Sequence, residues 1–264
     1  IYVDINKDDY LIDCSLIEKK ISKKTKAIIP VNLYGQSANY SAINKIAKKY
    51  RLKVVEDCAQ STGALYKGKS CGSFGDLGAF SFYPTKNLGG YGDGGMIVTN
   101  NKELYLKCKK LRKYGMEKLY YSDFHGVNSR LDEIHAAILN FKLKKLNSNI
   151  KKRRRIANIY NENLNKTDLT LPIENKDNFH SYYVYVVRHK KRDEIMNYLK
   201  KHNIYCNISY PFPIHSMKGY KNLNKKKIIL KNTNKLSKQI FSLPMYPELS
   251  NKHLESVINI LKKY

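Results

Sequence analysis

The sequence contains neither a long apolar run nor a paired cysteine motif. No stretch of eighteen apolar residues occurs, which argues against a membrane-spanning helix. The 5 cysteines are odd in number and include no CxxC pair, so the sequence predicts no disulfide framework and no zinc site. We therefore expect a protein of a reducing compartment, the cytoplasm, with no membrane and no metal among its partners.

Acidic residues are scarce as well. The 22 Asp and Glu stand against 49 Lys and Arg, which gives a formal net charge of +27. A nucleic-acid-binding surface would gather its basic residues on one face, whereas here lysine is spread from Lys7 to Lys263. We therefore expect no nucleic-acid partner, and we interpret the basic run at 151–155 as a solvated helix face. The positive potential would still attract an anionic substrate.

The first half of the chain alternates apolar strands with amphipathic helices. Four apolar segments predict strands, at 27–31, 52–56, 77–82 and 96–99. Helical patterns lie between and after them, through Ile43 and from Lys102 to Tyr114. Such alternation is typical of an α/β fold in which helices flank a mainly parallel sheet. Ligand sites in these sheets lie beyond the carboxyl ends of the strands.

The pattern changes in the second half. A long helical segment at 131–164 leads into predicted strands at 182–187 and 204–209, a helix near 193–202 and two closing helices. This mixture predicts a smaller α+β domain. We place the large domain at 1–145 and the small C-terminal domain at 146–264, with the helical segment as the connection between them.

Polar residues that follow the predicted strands carry the candidate chemistry. Asp57 comes one residue after a strand, so its carboxylate is expected at the carboxyl edge of the sheet. Lys86 follows another strand on a loop flanked by Pro and Gly, where an amine can act as an imine-forming nucleophile. Alone, the aspartate is often a helix cap and the lysine a surface side chain. Their combination with Gln60 and Ser81 is what indicates a site.

Motifs along nearly the whole chain add to this interpretation. In order, they lie at 28–36, 54–61, 80–89, 92–95, 126–133 and 242–249. Together they resemble the DegT/DnrJ/EryC1/StrS family of pyridoxal-phosphate (PLP)-dependent sugar aminotransferases. So many motifs in one order are far more specific than any single one. The resemblance implies a fold-type I PLP-dependent transferase with a smaller C-terminal domain.

The resemblance also assigns roles to residues. Lys86 matches the lysine that holds PLP covalently, and Asp57 matches the carboxylate that pairs with the pyridine nitrogen. Gln60 matches the residue that hydrogen-bonds the phenolic oxygen of the cofactor, and Ser81 matches a phosphate ligand. Asn128 matches a phosphate ligand that the family supplies from the neighbouring subunit. A homodimer with shared active sites is therefore expected.

The activity implied by the family is transfer of an amino group from glutamate to a nucleotide-linked keto-deoxysugar. The product is an amino sugar for surface polysaccharide such as lipopolysaccharide. The segment 210–215 resembles a part of the small domain near the substrate opening. For His215 within it, two interpretations stay open, a substrate contact and a histidine packed in its loop.

Two departures from the family pattern keep alternatives open. Asn32 stands where the family usually carries histidine, so we assign that position no role. The sequence begins with Ile1 in a strand-like segment and late relative to the family, so we expect the N-terminal part of the large domain to be missing. A truncated, non-catalytic or regulatory relative is therefore an alternative. A PLP-dependent sugar dehydratase is another, although such relatives carry histidine at the Lys86 position.

Overall fold

The computed structural model of the protein describes residues 1–221 and 228–264, except for the side chain of Lys221. The strands are β1 (Ala27–Ile28), β2 (Lys53–Asp57), β3 (Leu65–Tyr66), β4 (Lys69–Ser70), β5 (Leu77–Ser81), β6 (Gly95–Val98), β7 (Met116–Lys118), β8 (Tyr121–Ser122), β9 (Asn178–Phe179), β10 (Tyr185–Arg188) and β11 (Ile240–Leu243). The α-helices are α1 (Cys14–Ile17), α2 (Tyr40–Tyr50), α3 (Lys102–Leu111), α4 (Glu133–Leu143), α5 (Leu146–Leu164), α6 (Arg192–Lys201), α7 (Lys218–Lys221), α8 (Lys231–Leu236) and α9 (Asn251–Lys262). Short 3₁₀-helices lie at Glu18–Lys20, Leu33–Gly35 and Ile214–Ser216.

The central sheet has the strand order β1-β2-β5-β6. β1 pairs with β2 and β2 pairs with β5 in parallel, whereas β5 and β6 are antiparallel. The predicted α/β fold with a mainly parallel sheet is confirmed, and β6 is the exception. The register places Asp57 opposite Ala79. The carboxyl ends of β2 and β5 therefore meet at one edge of the sheet.

Two large hydrophobic cores lie in different parts of the sequence. In the first, α2 buries Tyr40 and Ile43 against Val54 of β2. The second gathers apolar side chains from α5, α6, α9 and the antiparallel pair β10–β11, with Tyr160 and Phe241 almost completely buried. This division follows the two halves that the sequence pattern distinguishes. The exact boundary between 145 and 146 stays a prediction.

The second half departs from its predicted strands. The segment 204–209 forms no strand, and its one ladder contact is an isolated bridge between Asn207 and Ser242. Asn203 and Tyr210 have positive φ values of 60° and 65°, and such residues interrupt an extended chain at both ends of the segment. The partner of β10 is instead β11, whose residues are all buried.

Arg153 corrects the interpretation of the basic run at 151–155. Its side chain is buried, with 7% exposure, because it lies on the same face of α5 as Ile150, Ala157 and Tyr160. Burial lowers the pKa of its guanidinium to about 10, although the nearby Glu248 carboxylate acts in the opposite direction. The predicted solvated face was therefore wrong for Arg153.

Carbonyl groups compensate the burial of this cation. Arg153 Nη1 donates hydrogen bonds to the backbone oxygens of Tyr182, Tyr183 and Met245, at 3.2, 3.1 and 3.1 Å. These oxygens belong to the segment before β10 and to the segment after β11. Arg153 thus ties the long helix α5 to both.

The cysteines are all free thiols, and Cys58 and Cys71 are buried. Burial raises the pKa of the Cys71 thiol to about 11, which keeps it protonated and unreactive near neutral pH. In residues 1–221 and 228–264, no helix combines the length and the apolar character that crossing a membrane requires.

His180 is a buried, neutral histidine just before the segment that Arg153 binds. It is 3% exposed, and its ring stacks on Tyr182 with centroids 4.0 Å apart. Its Nδ1 accepts a hydrogen bond of 2.9 Å from the backbone N–H of Tyr182. Burial and the nearby Arg154 guanidinium lower the pKa of His180 from 6.5 to about 3. Protonation of His180 is therefore much easier in the unfolded chain.

We expect the free energy of unfolding to fall between pH 7 and pH 5. Below pH 6.5 the unfolded state binds one more proton than the folded state, until the folded pKa of about 3 is reached. The loss from this residue alone is about 2 kcal/mol at pH 5. Urea unfolding at several pH values would measure it. His180→Asn keeps an acceptor near Nδ1 but does not titrate, so its pH slope should be smaller by one proton; an unchanged slope would contradict the assignment.

Candidate active site

Asp57 lies at the carboxyl end of β2, where backbone hydrogen bonds fix it from one side. Its N–H donates to Pro30 O and its carbonyl accepts from Asn32 N, both at 2.9 Å. Its Oδ1 accepts from Ala59 N at 3.0 Å. Its other carboxylate oxygen, Oδ2, accepts no hydrogen bond from the residues that the structure describes. One oxygen therefore orients the carboxylate while the other is left for a ligand.

Glu56 precedes Asp57 and is completely buried. Its carboxylate accepts hydrogen bonds from the backbone N–H groups of Gly72, Phe74 and Gly75 at 2.7, 2.6 and 2.7 Å. These bonds tie the end of β2 to the turn before β5. The sequence does not reveal this role of Glu56. Two adjacent acidic residues at a strand end look alike in sequence, whether a carboxylate supports the backbone or binds a ligand.

Lys86 lies on the loop that follows β5. Its backbone N–H donates to Tyr83 O at 2.9 Å, which closes a turn. Its Nζ lies 4.6 Å from the centroid of the Tyr183 ring. Within the described ranges the amine takes part in no ion pair and no side-chain hydrogen bond. Lys86 is half-buried, and its amine is free to react because no anionic side chain of the described residues pairs with it.

Gln60 connects the two halves of the site. Its Oε1 accepts from Tyr34 N and its Nε2 donates to the Tyr210 hydroxyl, both at 2.7 Å. Burial raises the pKa of Tyr210, and the electrostatic influence of Tyr183 and Asp57 acts in the same direction. Tyr210 therefore contacts Gln60 and lies near enough to Asp57 and Tyr183 for electrostatic interaction with both. Through these contacts the structure brings Asp57, Gln60 and Lys86 to one place.

Three tyrosines around this place have left-handed backbone conformations. The φ values are 59° at Tyr34, 43° at Tyr182 and 65° at Tyr210. Glycine adopts such a conformation at no steric cost, whereas an aromatic residue does so at some cost in energy. The surrounding hydrogen bonds must hold these segments in position.

Ser81 and Asn128 lie in different surroundings. Ser81 ends β5, and its Oγ accepts a weak hydrogen bond of 3.3 Å from Tyr83 N. Asn128 is exposed, and its Oδ1 accepts from Arg130 Nε at 3.2 Å. The structure gives Asn128 no contact with Asp57, Gln60 or Lys86 among the described residues. Ser81 lies near the site because it ends β5, the strand that leads to Lys86. Asn128 lies outside the site of its own subunit.

His215 is packed in its loop. It lies in the 3₁₀-helix Ile214–Ser216, and its Nε2 is hydrogen-bonded to Asn234 Oδ1 at 2.9 Å. Its ring centroid is 6.3 Å from that of Tyr2. Of the two interpretations left open, these contacts favour the packed histidine. A role in substrate binding stays a prediction.

The side chains gathered here fit the chemical groups of PLP. The cofactor presents an aldehyde, a ring nitrogen, a phenolic oxygen and a phosphate. Lys86 offers a free amine and Asp57 a carboxylate oxygen without a partner. The amide of Gln60 carries a second N–H besides the one that it gives to Tyr210, and Ser81 carries a hydroxyl. Each group of the cofactor thus has a chemically suitable partner nearby.

Known proteins resemble the chain over its whole length. Residues 1–262 match the DegT/DnrJ/EryC1/StrS aminotransferase family. The chain is 45% identical to the dTDP-3-amino-3,4,6-trideoxy-alpha-D-glucose transaminase of Micromonospora megalomicea subsp. nigra, over 100% of this chain and 72% of that protein. The crystal structure of S. venezuelae DesV in complex with a ketimine intermediate has a TM-score of 0.96 and 35% identity, over 100% of this chain and 71% of that one.

A further solved structure carries a bound cofactor. NtdA from Bacillus subtilis, crystallised with the cofactor PMP, has a TM-score of 0.92 and 31% identity, over 100% of this chain and 62% of that one. The agreement in fold, together with the family match over 1–262, confirms the resemblance that the motifs indicate. The chain belongs to the DegT/DnrJ/EryC1/StrS aminotransferase family.

Proposed function

We propose that the protein is a PLP-dependent aminotransferase that moves an amino group from glutamate to a nucleotide-linked keto-deoxysugar. The observation that carries the proposal is the free amine of Lys86 beside the Asp57–Gln60–Tyr210 group. The transaminase from Micromonospora, whose name specifies a dTDP-linked amino sugar, supports the substrate class. The bound PMP of NtdA supports the cofactor. The proposed product is an amino sugar for surface polysaccharide such as lipopolysaccharide, made in the cytoplasm.

The residues of the chain divide the work of the reaction. PLP, when bound, supplies an aldehyde that condenses with amines and a ring that withdraws electrons from the reacting carbon. Lys86 Nζ would hold that aldehyde and, once the amine of the donor has taken its place, would carry the proton to and from the reacting carbon. The Asp57 carboxylate would keep the ring nitrogen protonated. Gln60 would donate to the phenolic oxygen, and Ser81 would hydrogen-bond the phosphate.

We also propose a homodimer, in which Asn128 reaches the phosphate of the neighbouring site. Helix α4 supports this arrangement, because it buries only Leu139 within its own chain. Its side chains Ile134 and Phe141 are 75% and 61% exposed. Apolar side chains of this size on one helix are typical of a surface that a partner covers. Asn128 lies only a few residues before this helix.

The first prediction concerns Lys86. Lys86→Ala should abolish the visible absorption of lysine-bound PLP and slow turnover by at least about a thousandfold, because nucleophile and proton carrier are lost together. Lys86→Arg is the matched control, since it keeps a cation beside Tyr183 but forms no imine, and it should be equally inactive. Absorption spectra and formation of 2-oxoglutarate from glutamate with a nucleotide keto-sugar would measure both. Wild-type spectra and rates in the alanine variant would refute the assignment.

The second prediction separates Asp57 from its neighbour. Asp57→Asn keeps the acceptor for Ala59 N but loses the charge, so proton transfer should slow by about a hundredfold while the fold remains. Glu56→Gln removes one acceptor from a buried group and should instead lower the free energy of unfolding by about 1–3 kcal/mol. Single-turnover rates and urea unfolding of both variants would compare them. Normal kinetics in Asp57→Asn would contradict the role.

The third prediction concerns assembly. Ile134→Asp and Phe141→Asp should convert the dimer to monomer, because a charge would be buried in an apolar interface. Light scattering after size-exclusion chromatography measures the molecular mass. Tyr205→Asp is the control, since that side chain is 69% exposed but lies outside α4. A wild-type monomer at micromolar concentration would rule out the proposed dimer.

A further inference from the structure

The contact between Lys86 and Tyr183 stands apart from the other lysine–ring contacts of the described residues. Its distance of 4.6 Å is shorter than the 5.1–5.6 Å of the rest. Lys49 and Lys67, which also lie over rings, pair with carboxylates as well. Lys86 has no such partner there. The face of the Tyr183 ring is therefore the group that holds its amine, by cation–π attraction.

Tyr183 is itself held at three points. Its backbone N–H donates to Tyr34 O at 3.1 Å, and its carbonyl accepts from the buried Arg153 at 3.1 Å. Its hydroxyl is hydrogen-bonded to Thr85 Oγ1 at 3.1 Å. Thr85 directly precedes Lys86 in the chain. The ring is thus fixed to α5, to the turn after β1 and to the loop that carries the lysine.

The turn at Gly35 shows how tightly the Tyr183 segment is seated. Gly35 has φ 105°, and a Cβ at this position would come within 2.9 Å of Tyr183 N. Ser181 N donates to Gly35 O at 2.8 Å. Only glycine allows this approach of two backbones. The backbone that carries the Tyr183 ring is therefore fixed by its packing against Gly35.

We propose that Tyr183 is a positioning residue for Lys86, which holds the free amine at a fixed place whenever it is not bound to the cofactor. Holding the amine there shields it from solvent and keeps it where it can return to the cofactor and exchange the proton. This inference rests on the proposed function, since it assigns Tyr183 a part in the same reaction.

The test compares two reactions of the Lys86 amine in Tyr183 variants. In the apo-protein, acetylation by acetic anhydride is measured by mass spectrometry relative to an exposed lysine such as Lys252. Tyr183→Leu should raise the acetylation of Lys86 about two- to fivefold, because the amine is released to solvent. The rate at which added PLP is captured, as the amine adds to the aldehyde and water leaves, should fall by at least the same factor. Because a loss of structure would also expose the amine and slow the capture, the half-buried Lys110 serves as an internal control, and its acetylation should stay at the wild-type level.

Two further variants control for shape and for the hydroxyl group. Tyr183→Phe keeps the ring and should resemble the wild type in both rates. Tyr183→pentafluorophenylalanine keeps the ring shape but reverses its charge distribution, so it should behave like the leucine variant. It also keeps the test valid if Tyr183→Leu does not fold.

The outcomes distinguish this inference from the proposed function. Equal acetylation in the wild type and in both altered variants would overturn the positioning role, as would unchanged PLP capture. If the wild type captures no PLP but the acetylation of Lys86 rises in the variants, the proposed function fails while the placement of the amine by Tyr183 stands. In the Lys86→Ala background, Tyr183→Leu should leave the PLP affinity unchanged; a weakened affinity would mean that Tyr183 acts on the cofactor directly and would also overturn the inference.

Discussion

The parallel pairing of β2 with β5 is the constraint on which the site depends. Because the register sets Asp57 opposite Ala79, the strand end that bears the aspartate lies beside the strand that leads to Lys86. Glu56 stabilises this arrangement with a carboxylate that three backbone N–H groups surround. A carboxylate held in this way fixes the end of β2 without taking part in the chemistry next to it. The supporting residue Glu56 and the candidate functional residue Asp57 are thus adjacent in the chain but have different surroundings.

Residues of the second half of the chain form the side of the site that faces Lys86 and Gln60. Tyr183 and Tyr210 come from segments on either side of α6, and they reach Lys86 and Gln60 respectively. Arg153 holds the first of these segments through carbonyl oxygens, and a guanidinium is suited to this because its donors are rigidly arranged. The site is therefore assembled from both cores, and neither half holds all of its side chains.

Sequence patterns predicted the strands that deliver Asp57 and Lys86 because each is an apolar run followed by a polar residue. The motifs predicted the family, since their order leaves few alternatives. Patterns did not reveal Arg153, because a basic run on a helix has the same composition whether or not one member turns inward. They did not reveal Tyr183 either, since an aromatic residue before a buried strand is indistinguishable from core. The segment 204–209 was assigned as a strand from its apolar residues, and the positive φ values at Asn203 and Tyr210 have no clear signature in sequence.

The left-handed tyrosines have a consequence for any attempt to make the protein more robust. Replacing a residue with positive φ by glycine relieves the backbone torsion, because glycine adopts that conformation at no steric cost. At Tyr34 and Tyr182 the same exchange would leave a cavity, because both side chains are buried in hydrophobic cores. At Tyr210 it would remove the hydroxyl that accepts a hydrogen bond from Gln60. The exchange would therefore lose packing at two of these positions and a contact of the site at the third, so libraries aimed at a more heat-stable enzyme should leave all three unchanged.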